Sequence, residues 1–503
     1  MGTTIGSRIL TFARVVLTIG LLAGYYLFAF GIALGALVVA VVLVFLSPYV
    51  DVPVLAFPVL AVIALASLVF GARTLFRSRP PVTVERCVSL PREEAEELYR
   101  TVDMLAASIG APSVHEILIF PDARASIMST GGVLGIGEKR ALELGYVALR
   151  GLRQGELMTI VAHELGHFAA GDLSLFRFVW SLHDALVHAI LAAERARPRR
   201  FYGVFRLAPA IVGAMHMAYG KLALRASHAV LRARELAADR QAVAHVGRAA
   251  FLRGLAKVRV LGVTFDGFVA RELLPLVEAK CWPSDLWRGF DDYAAKVSGR
   301  VDELLAKVEP SPYDTHPSYE ERVKNAESAP SFDLPEAEGP AFAWLTSPEA
   351  LWERLGPPAK GLRRVAWSEV ADVRSARVLQ AAKEASSAYL AVLGKGPWLD
   401  VAKRGATTMA QVGSRELALA VEPGLRHASE AVWMAVGPRA IERWFGAIVA
   451  MALVEGRGGR FVHVIGEPLQ VELDGGLVCP WTLAREAPGS REGIDRLAAA
   501  LGP

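Results

Sequence analysis

The sequence predicts a mainly α-helical protein with a small β element, built as an N-terminal transmembrane helical hairpin, a helical central domain and a C-terminal α+β accessory domain. Three observations support this. First, Asp51 is the one charged residue between Val15 and Ala72. Second, longer segments after Ala72 repeat apolar residues at helical spacing. Third, short strand-like segments occur near the C-terminal end of the sequence. Hydrophobic residues make up 53% of the chain and the mean hydropathy is +0.34, so lipid is expected to contact part of it.

The hairpin is predicted to cross the bilayer twice, at about residues 15–46 and 54–72, since a span needs about 20 apolar residues. Arginines stand before the first span and after the second, and the loop between them has neither Lys nor Arg. The positive-inside rule then places both ends, and everything after Arg79, on the cytoplasmic side. We therefore expect a multi-pass protein of the cell membrane with a cytoplasmic soluble part.

The predicted domains are the hairpin at 1–80, the central domain at 81–325, a linker at 326–345 and the accessory domain at 346–503. Two apolar stretches within 173–220 are interrupted by arginine and histidine residues. Because a charge inside the bilayer costs a few kcal/mol, we expect these stretches to be interfacial helices on the cytoplasmic leaflet.

The accessory domain shows helical segments and a hairpin-like pair of strands, Phe461–Ile465 and Leu469–Leu473, with no cluster of groups suited to catalysis. The net charge of +4 over 503 residues gives no case for nucleic-acid binding. The three cysteines lie far apart and lack CxxC spacing, which indicates neither a disulfide framework nor a cysteine zinc site.

The central domain carries the sequence His-Glu-Leu-Gly-His at 163–167, an HExxH motif inside the predicted helix 154–170. On a helix, positions i and i+4 share a face, so His163 and His167 can bind one Zn²⁺ while Glu164 serves as general base for an activated water. The alternative is a chance match, but the uncharged flanking residues are those of a buried helix. The sequence therefore predicts one zinc ion per chain.

A third ligand is needed, and the HxxGxxH extension is absent after His167. Glu235 is the best remaining donor, on a predicted helix at 221–246, with Asp239 one turn later to orient a ligand histidine. The alternative for Glu235 is a solvated carboxylate paired with Arg232. With Glu235 as the third ligand, the set of zinc ligands is that of a gluzincin-type zinc peptidase.

Three motifs in order resemble the HtpX-like and CAAX-prenyl-protease family of integral-membrane zinc peptidases. The segment 163–172, HELGHFAAGD, is similar to the family's HExxHxxxGD, 232–239 to its RxxExxAD, and 314–322 to its THPSxxER. The resemblance covers roughly 1–325 and is closest to the HtpX-like members. It implies a membrane endopeptidase that acts on membrane or misfolded proteins, as in protein quality control.

The resemblance also raises His316 from a surface residue before a proline to a candidate for stabilising the oxyanion of the tetrahedral intermediate. The chain departs from the family pattern in two places. Leu231 stands where the family often has Ser, and Arg124-Ala125 stands where members often have Asn-Ala on a substrate-pairing edge strand. The second departure bears on how substrate backbone is held.

Two other functions stay open from sequence. One is a maturation protease for a specific substrate, lipidated or not, although the prenyl-protein proteases have more spans than this chain shows. The other is a catalytically silent membrane scaffold, which would have no need for Glu164. Expected partners are protein or peptide substrates, the lipid bilayer, a regulatory partner of the accessory domain and a second copy of the chain.

Overall fold

The structure is a computed structural model that describes residues 5–75, 87–130, 139–169, 204–300, 305, 317–331, 339–357, 360–427, 430–473 and 476–502. The described helices are α1 Ile5–Leu46, α2 Ala56–Leu75, α3 Glu96–Ile109, α4 Tyr146–Gly151, α5 Gln154–Ala169, α6 Val204–Val246, α7 Arg248–Phe268, α8 Leu274–Glu278, α9 Leu286–Val297, α10 Tyr319–Ser328, α11 Pro348–Leu355, α12 Val370–Ala388, α13 Leu390–Leu393, α14 Trp398–Val412, α15 Arg415–Val421, α16 Glu430–Met451, α17 Pro480–Glu486 and α18 Arg491–Leu501. The described strands are β1 Val88–Leu90, β2 Glu116–Phe120, β3 Ala125–Thr130, β4 Lys139–Gly145, β5 Cys281–Pro283, β6 Arg363–Val365, β7 Arg460–Val462, β8 Gln470–Leu473 and β9 Gly476–Val478. The protein is mainly helical with few strands, as the sequence predicts.

The chain forms two compact units, Met1–Gly262 with Ala306–Gly356, and Val263–Leu305 with Pro357–Pro503. This grouping differs from the predicted boundaries. Residues 339–356, predicted in part as linker, pack within the first unit, where the Gly339 carbonyl accepts a hydrogen bond from the Gln154 backbone N–H at 2.8 Å. Residues 263–305, predicted in the central domain, pack within the second unit.

The sheet of the first unit has the strand order β1-β2-β4-β3, with β2 and β4 parallel and the other pairs antiparallel. The alternating residues Ile117, Ile119, Leu142 and Leu144 of β2 and β4 are fully buried, as the strand period of two requires. Among the described residues β3 pairs with β4 alone, so it forms an edge of the sheet, and it contacts α5.

The N-terminal helices contain one stretch long and apolar enough to cross a membrane, Val16–Leu46, within the part of the chain that the structure describes. The second predicted span is present as a helix, but its apolar part, Ala56–Val69, is shorter. The two helices pack together, and the Ser67 hydroxyl donates a hydrogen bond to the Ala29 carbonyl at 2.8 Å.

Helix α6 includes residues 204–220, whose interfacial position stays a prediction, and 173–203 lie outside the described residues. Its 43 residues, about 64 Å at 1.5 Å per residue, form one continuous helix that packs against both α1 and α2. Two polar groups of this helix have partners there. Nε2 of His216 lies 2.8 Å from Oγ of Ser67, and the Tyr219 hydroxyl donates to the Leu21 carbonyl at 3.1 Å.

The second unit has a helical core around α16, whose residues Phe445 and Ile448 are fully buried with Tyr389 of the segment between α12 and α13. A three-stranded antiparallel sheet, β7-β8-β9, pairs Phe461 with Val471 and so confirms the predicted hairpin. A second buried cluster joins α12 to α16.

Candidate metal centre

Helix α5 forms where the sequence predicts it and presents its two histidines on one face. Leu157, Val161 and Leu165, at helical spacing, are fully buried and fix the orientation of the helix. His163 and His167 therefore lie one turn apart, with ring centroids 4.8 Å from each other and side chains 7% and 16% exposed. The helix-forming pattern thus also aligns the two imidazoles.

Helix α6 packs against α5 and brings Glu235 to the same place. Oε2 of Glu235 lies 3.3 Å from Nε2 of His163, and Oε1 lies 3.3 Å from Nε2 of His167. The ligand atoms of all three residues fall within 4.8 Å of one another. Glu235, which is 68 positions or more from either histidine in sequence, thus shares one small volume with them.

These donors fit a zinc ion. Two neutral imidazoles and a carboxylate are a donor set that catalytic zinc uses, with a fourth position left for water or substrate. For bonds of about 2.0–2.1 Å and tetrahedral angles, neighbouring donor atoms stand about 3.3 Å apart. Both nitrogen–oxygen distances match that value.

Asp239 orients His163 from the side away from Glu235. Its side chain is fully buried, and its Oδ1 lies 2.8 Å from Nδ1 of His163. A proton held on Nδ1 by this carboxylate leaves the lone pair of Nε2 directed at the Glu235 side. Arg322 in turn donates to both oxygens of Asp239, from Nε at 2.9 Å and from Nη2 at 2.6 Å.

The electrostatics of the group are strongly coupled. Burial lowers the pKa of His163, but the carboxylates of Asp239 and Glu235 outweigh burial and raise it to about 9. Burial raises the pKa of Asp239, but hydrogen bonds from His163 and Arg322 bring it below its usual range. Metal binding at Nε2 must therefore displace a proton that the apo site holds firmly.

Arg322 belongs to the third motif, whose structural role the sequence analysis did not recognise. Ser318 caps α10, since its Oγ accepts from the Glu321 backbone N–H at 3.2 Å and the Glu321 carboxylate accepts from the Ser318 N–H at 2.9 Å. The spacing S-x-x-E is a capping box and could have been read from sequence. Asn325 then ties α10 to α6 by donating to the Leu236 carbonyl at 2.8 Å.

Gly166, between the two histidines, permits the close packing of α5 on α6. A Cβ at this position would stand 3.2 Å from Cα of Ala238 and 3.3 Å from Cβ of Gln241. Nearby, Arg234 donates from Nη2 to the His167 carbonyl at 2.7 Å and so links the two helices next to the metal ligands. The sequence analysis assigned no role to either residue.

The remaining predicted positions are distributed as follows. Glu164 is half-buried on α5, directly after His163. His316 lies outside the described residues, so its candidate role stays a prediction. Leu231 is buried in a hydrophobic cluster that also contains Tyr25 of α1. Arg124 precedes the edge strand β3, and its side chain turns back to pair with Asp122.

Comparisons with known proteins agree with the motifs. Residues 93–329 match the model of peptidase family M48. A curated relative, Protease HtpX homolog 1 of Streptomyces coelicolor, is 29% identical over 204 residues, which are 39% of this chain and 64% of the relative. The match thus spans less than two thirds of that relative's length.

Among solved structures, the crystal structure of S. mikatae Ste24p is 16% identical, covering 64% of this chain and 66% of that one. Its TM-score of 0.28 is too low to support an argument about this chain. The family model covers all of α3 to α10, including both helices of the metal centre and the Arg322 contact. Over residues 93–329 the chain therefore resembles peptidase family M48, and in particular its HtpX-like members.

Proposed function

We propose that this protein is a membrane-anchored zinc-dependent endopeptidase, with His163, His167 and Glu235 as zinc ligands and Glu164 as general base. The observation that carries the proposal is the position of the Glu235 carboxylate, 3.3 Å from Nε2 of each histidine, inside the segment that matches a peptidase family. A solvated carboxylate paired with Arg232 is disfavoured, because the Glu235 side chain is only 12% exposed and Arg232 pairs with Glu321.

A zinc ion bound by these three residues supplies Lewis acidity, which activates water and polarises the scissile carbonyl. Glu164 is suited to take a proton from the attacking water. The same carboxylic acid then returns the proton to the departing nitrogen as the carbon–nitrogen bond breaks, so the products are a carboxylate and a free amine. The half-buried position of Glu164 keeps it close to the metal ligands yet open to substrate.

Asp239 and Arg322 act as positioning residues in this proposal. Asp239 holds the proton on Nδ1 of His163, and the bidentate contact from Arg322 holds Asp239. Arg322 itself is only 17% exposed, which limits its freedom to move. Two motifs distant in sequence therefore fix the orientation of one ligand.

The edge strand β3 is the proposed binding site for substrate backbone. It contacts α5, and its outer edge is open among the described residues, so an extended peptide can add to the sheet beside the metal centre. Arg124 pairs with Asp122 and its guanidinium lies 5.2 Å from the Phe120 ring centroid. We therefore expect the Arg124 side chain to leave the edge free.

His316 remains our candidate for stabilising the oxyanion, two residues before the Ser318 cap of α10. We further propose that α1 anchors the enzyme in the cell membrane, that the catalytic domain faces the cytoplasm, and that membrane or misfolded proteins are the substrates. The apolar stretch Val16–Leu46 and the relative named Protease HtpX homolog 1 support this. For the second unit we propose control over which substrates reach the zinc.

Hydrolysis by purified full-length protein in detergent tests the proposal. Glu164→Gln should retain one zinc per chain and lose cleavage of casein, because the ligands survive and the base is gone. Glu327→Gln, the same chemical change at an exposed position of α10, is the matched control and should cleave like the wild type. Equal cleavage by Glu164→Gln would remove the residue from the mechanism, and no cleavage by wild-type protein would favour the silent scaffold.

A further inference from the structure

The second unit contains a concave pocket of about 430 Å³ that plays no part in the proposed peptidase site. Four arginines from separate segments line it, together with Thr482 and the loop Gly466–Pro468. These arginines, which define the arginine pocket, are Arg271, Arg300, Arg374 and Arg485. The volume falls in the range of small-molecule sites, roughly 300–1,000 Å³.

The lining of the arginine pocket is strongly positive. Glu467 is the one acid among its described lining residues, and its carboxylate lies 3.3 Å from Nζ of Lys296, outside the lining. Arg485 lies 3.7 Å from Glu442, but its side chain is 54% exposed, where such a pair is weak. The lining thus carries four guanidinium groups and one carboxylate, and the charge of Arg374 is balanced by Glu272.

A buried network holds Arg374 in place. Its side chain is only 12% exposed, and Nη2 donates to Oε2 of Glu272 at 2.7 Å and to the Arg271 carbonyl at 2.8 Å. Glu272 is itself 1% exposed and also accepts from the Gly466 N–H at 3.0 Å. The network ties one arginine and one loop of the pocket wall into a fixed geometry.

The network extends to His463, whose Nε2 lies 2.8 Å from Oε2 of Glu272 and whose ring stacks on Trp367. Arg271 and Glu272 lie in a π-helical segment, Val269–Leu273, a conformation that is frequent at functional sites. The segment places Arg271 on the pocket lining and Glu272 in the interior. Desolvating the charges of Arg374 and Glu272 does not by itself favour stability, so a ligand-binding role accounts for the arrangement better.

We propose that the arginine pocket binds an anion that carries phosphate groups with two or more negative charges. Guanidinium groups bind phosphate oxygens through paired, charge-assisted hydrogen bonds, and several of them converge where a multiply charged group must be held. A single carboxylate has fewer oxygens and less charge than such a phosphate group, so it would engage fewer of these guanidinium groups. The phosphate can belong to a soluble molecule or to a lipid headgroup, since both present the same chemistry.

Calorimetric titration of the full-length protein in nonionic detergent with pyrophosphate tests this inference. Arg271→Ala combined with Arg300→Ala should weaken binding at least about tenfold, since each lost charged hydrogen bond is worth that much or more. Both side chains are exposed, so folding should survive. Arg374 is left intact because Glu272 depends on it. Arg491→Ala, an exposed arginine of the same unit outside the pocket, is the matched control and should bind pyrophosphate like the wild type.

Pyrophosphate can also bind zinc, but that interaction would be unaffected by the double variant, whose zinc content is measured in parallel. Short-chain phosphatidic acid that binds more tightly than inorganic phosphate, with the same dependence on Arg271 and Arg300, would identify a lipid headgroup. Equal binding of phosphatidic acid and inorganic phosphate would identify a soluble phosphate as the ligand. The inference is overturned if pyrophosphate does not bind up to about 5 mM, if the double variant binds it unchanged, or if an acidic peptide binds there instead.

Discussion

Asp239→Asn isolates the contribution of one carboxylate to the metal centre. The substitution keeps the size of the side chain, removes its charge and replaces one acceptor oxygen by a donor NH₂ group. In the wild type the two oxygens of Asp239 accept three hydrogen bonds, one from His163 and two from Arg322. The asparagine can keep only part of this set, and it leaves the Arg322 guanidinium, 17% exposed, without its counter-ion.

The structure sets the expected size of the effect. Removing one partner of a buried ion pair costs about 3–5 kcal/mol, so the free energy of unfolding of the apo first unit should fall by that amount. Loss of the hydrogen bond that orients His163 should weaken zinc binding about 10–100-fold. Asp103→Asn is the matched control, because Asp103 pairs with Arg92 at 3.0 Å on the surface, where the expected cost is about 0–1 kcal/mol.

The pH dependence gives a second, independent readout. The pKa of His163 is raised from 6.5 to about 9 in the folded apo protein. The proton on His163 therefore contributes stability that is fully present below pH 6.5 and is lost as the pH rises through about 9. Because zinc displaces that proton, zinc affinity of the wild type should rise about tenfold per pH unit across the same window. Asp239→Asn should lower the pKa of His163, so the zinc affinity of this variant should change less with pH than that of the wild type.

Zinc dissociation constants measured against a competing chelator from pH 6 to 9, together with denaturant unfolding of the apo protein, test these expectations. The assay is run on wild type, Asp239→Asn and Asp103→Asn. If Asp239→Asn matched Asp103→Asn in zinc affinity, in stability and in the slope with pH, the carboxylate would not orient His163 and the reasoning would be refuted.

Three further predictions concern single residues. Glu235→Ala should lose most of its bound zinc, because two histidines alone hold the ion weakly, and full zinc occupancy by elemental analysis would place the third ligand elsewhere. Gly166→Ala should force α5 and α6 apart by a few tenths of an ångström, lower the free energy of unfolding by about 1–3 kcal/mol and reduce zinc retention. Gly262→Ala is the control, because its added methyl group enters open space and should have none of these effects. Burial raises the pKa of Glu272, but His463 and Arg374 outweigh burial and lower it, so stability of the second unit should be present above pH 4.5 and decline as pH falls through the depressed value. Unfolding followed by tryptophan fluorescence should show this acid dependence in wild type and lose it in Glu272→Gln; the same acid dependence in the variant would exclude Glu272 as its source.

Local patterns in the sequence predicted the elements of the metal centre well. The period of Leu157, Val161 and Leu165 defines α5 to within a residue, and the i, i+4 spacing of Glu235 and Asp239 puts both on one face of α6. Such spacings are properties of a single helix and need no knowledge of its neighbours. The convergence of Glu235 on the two histidines was inferred from the coordination that zinc requires.

Contacts between distant segments were not predictable in the same way. The bidentate contact of Arg322 with Asp239 joins residues 83 positions apart, and its one local sign was the capping box that begins α10. For 204–220 the sequence shows isolated polar residues but not their partners, so the interfacial position of this segment stays a prediction. In the structure Oγ of Ser67 lies 2.8 Å from Nε2 of His216, and the Leu21 carbonyl accepts from Tyr219, which lowers the cost of placing these two groups among apolar helices.

X-ray absorption at the zinc edge of the full-length protein tests the central claim most directly. We predict one zinc per chain with nitrogen and oxygen neighbours at about 2.0–2.1 Å and the outer-shell scattering of two imidazole rings, from His163 and His167. Glu235→Ala should reduce zinc content, and the residual spectrum should show fewer short oxygen distances. A sulfur neighbour at about 2.3 Å, or a wild-type spectrum that Glu235→Ala leaves unchanged, would contradict the proposed site.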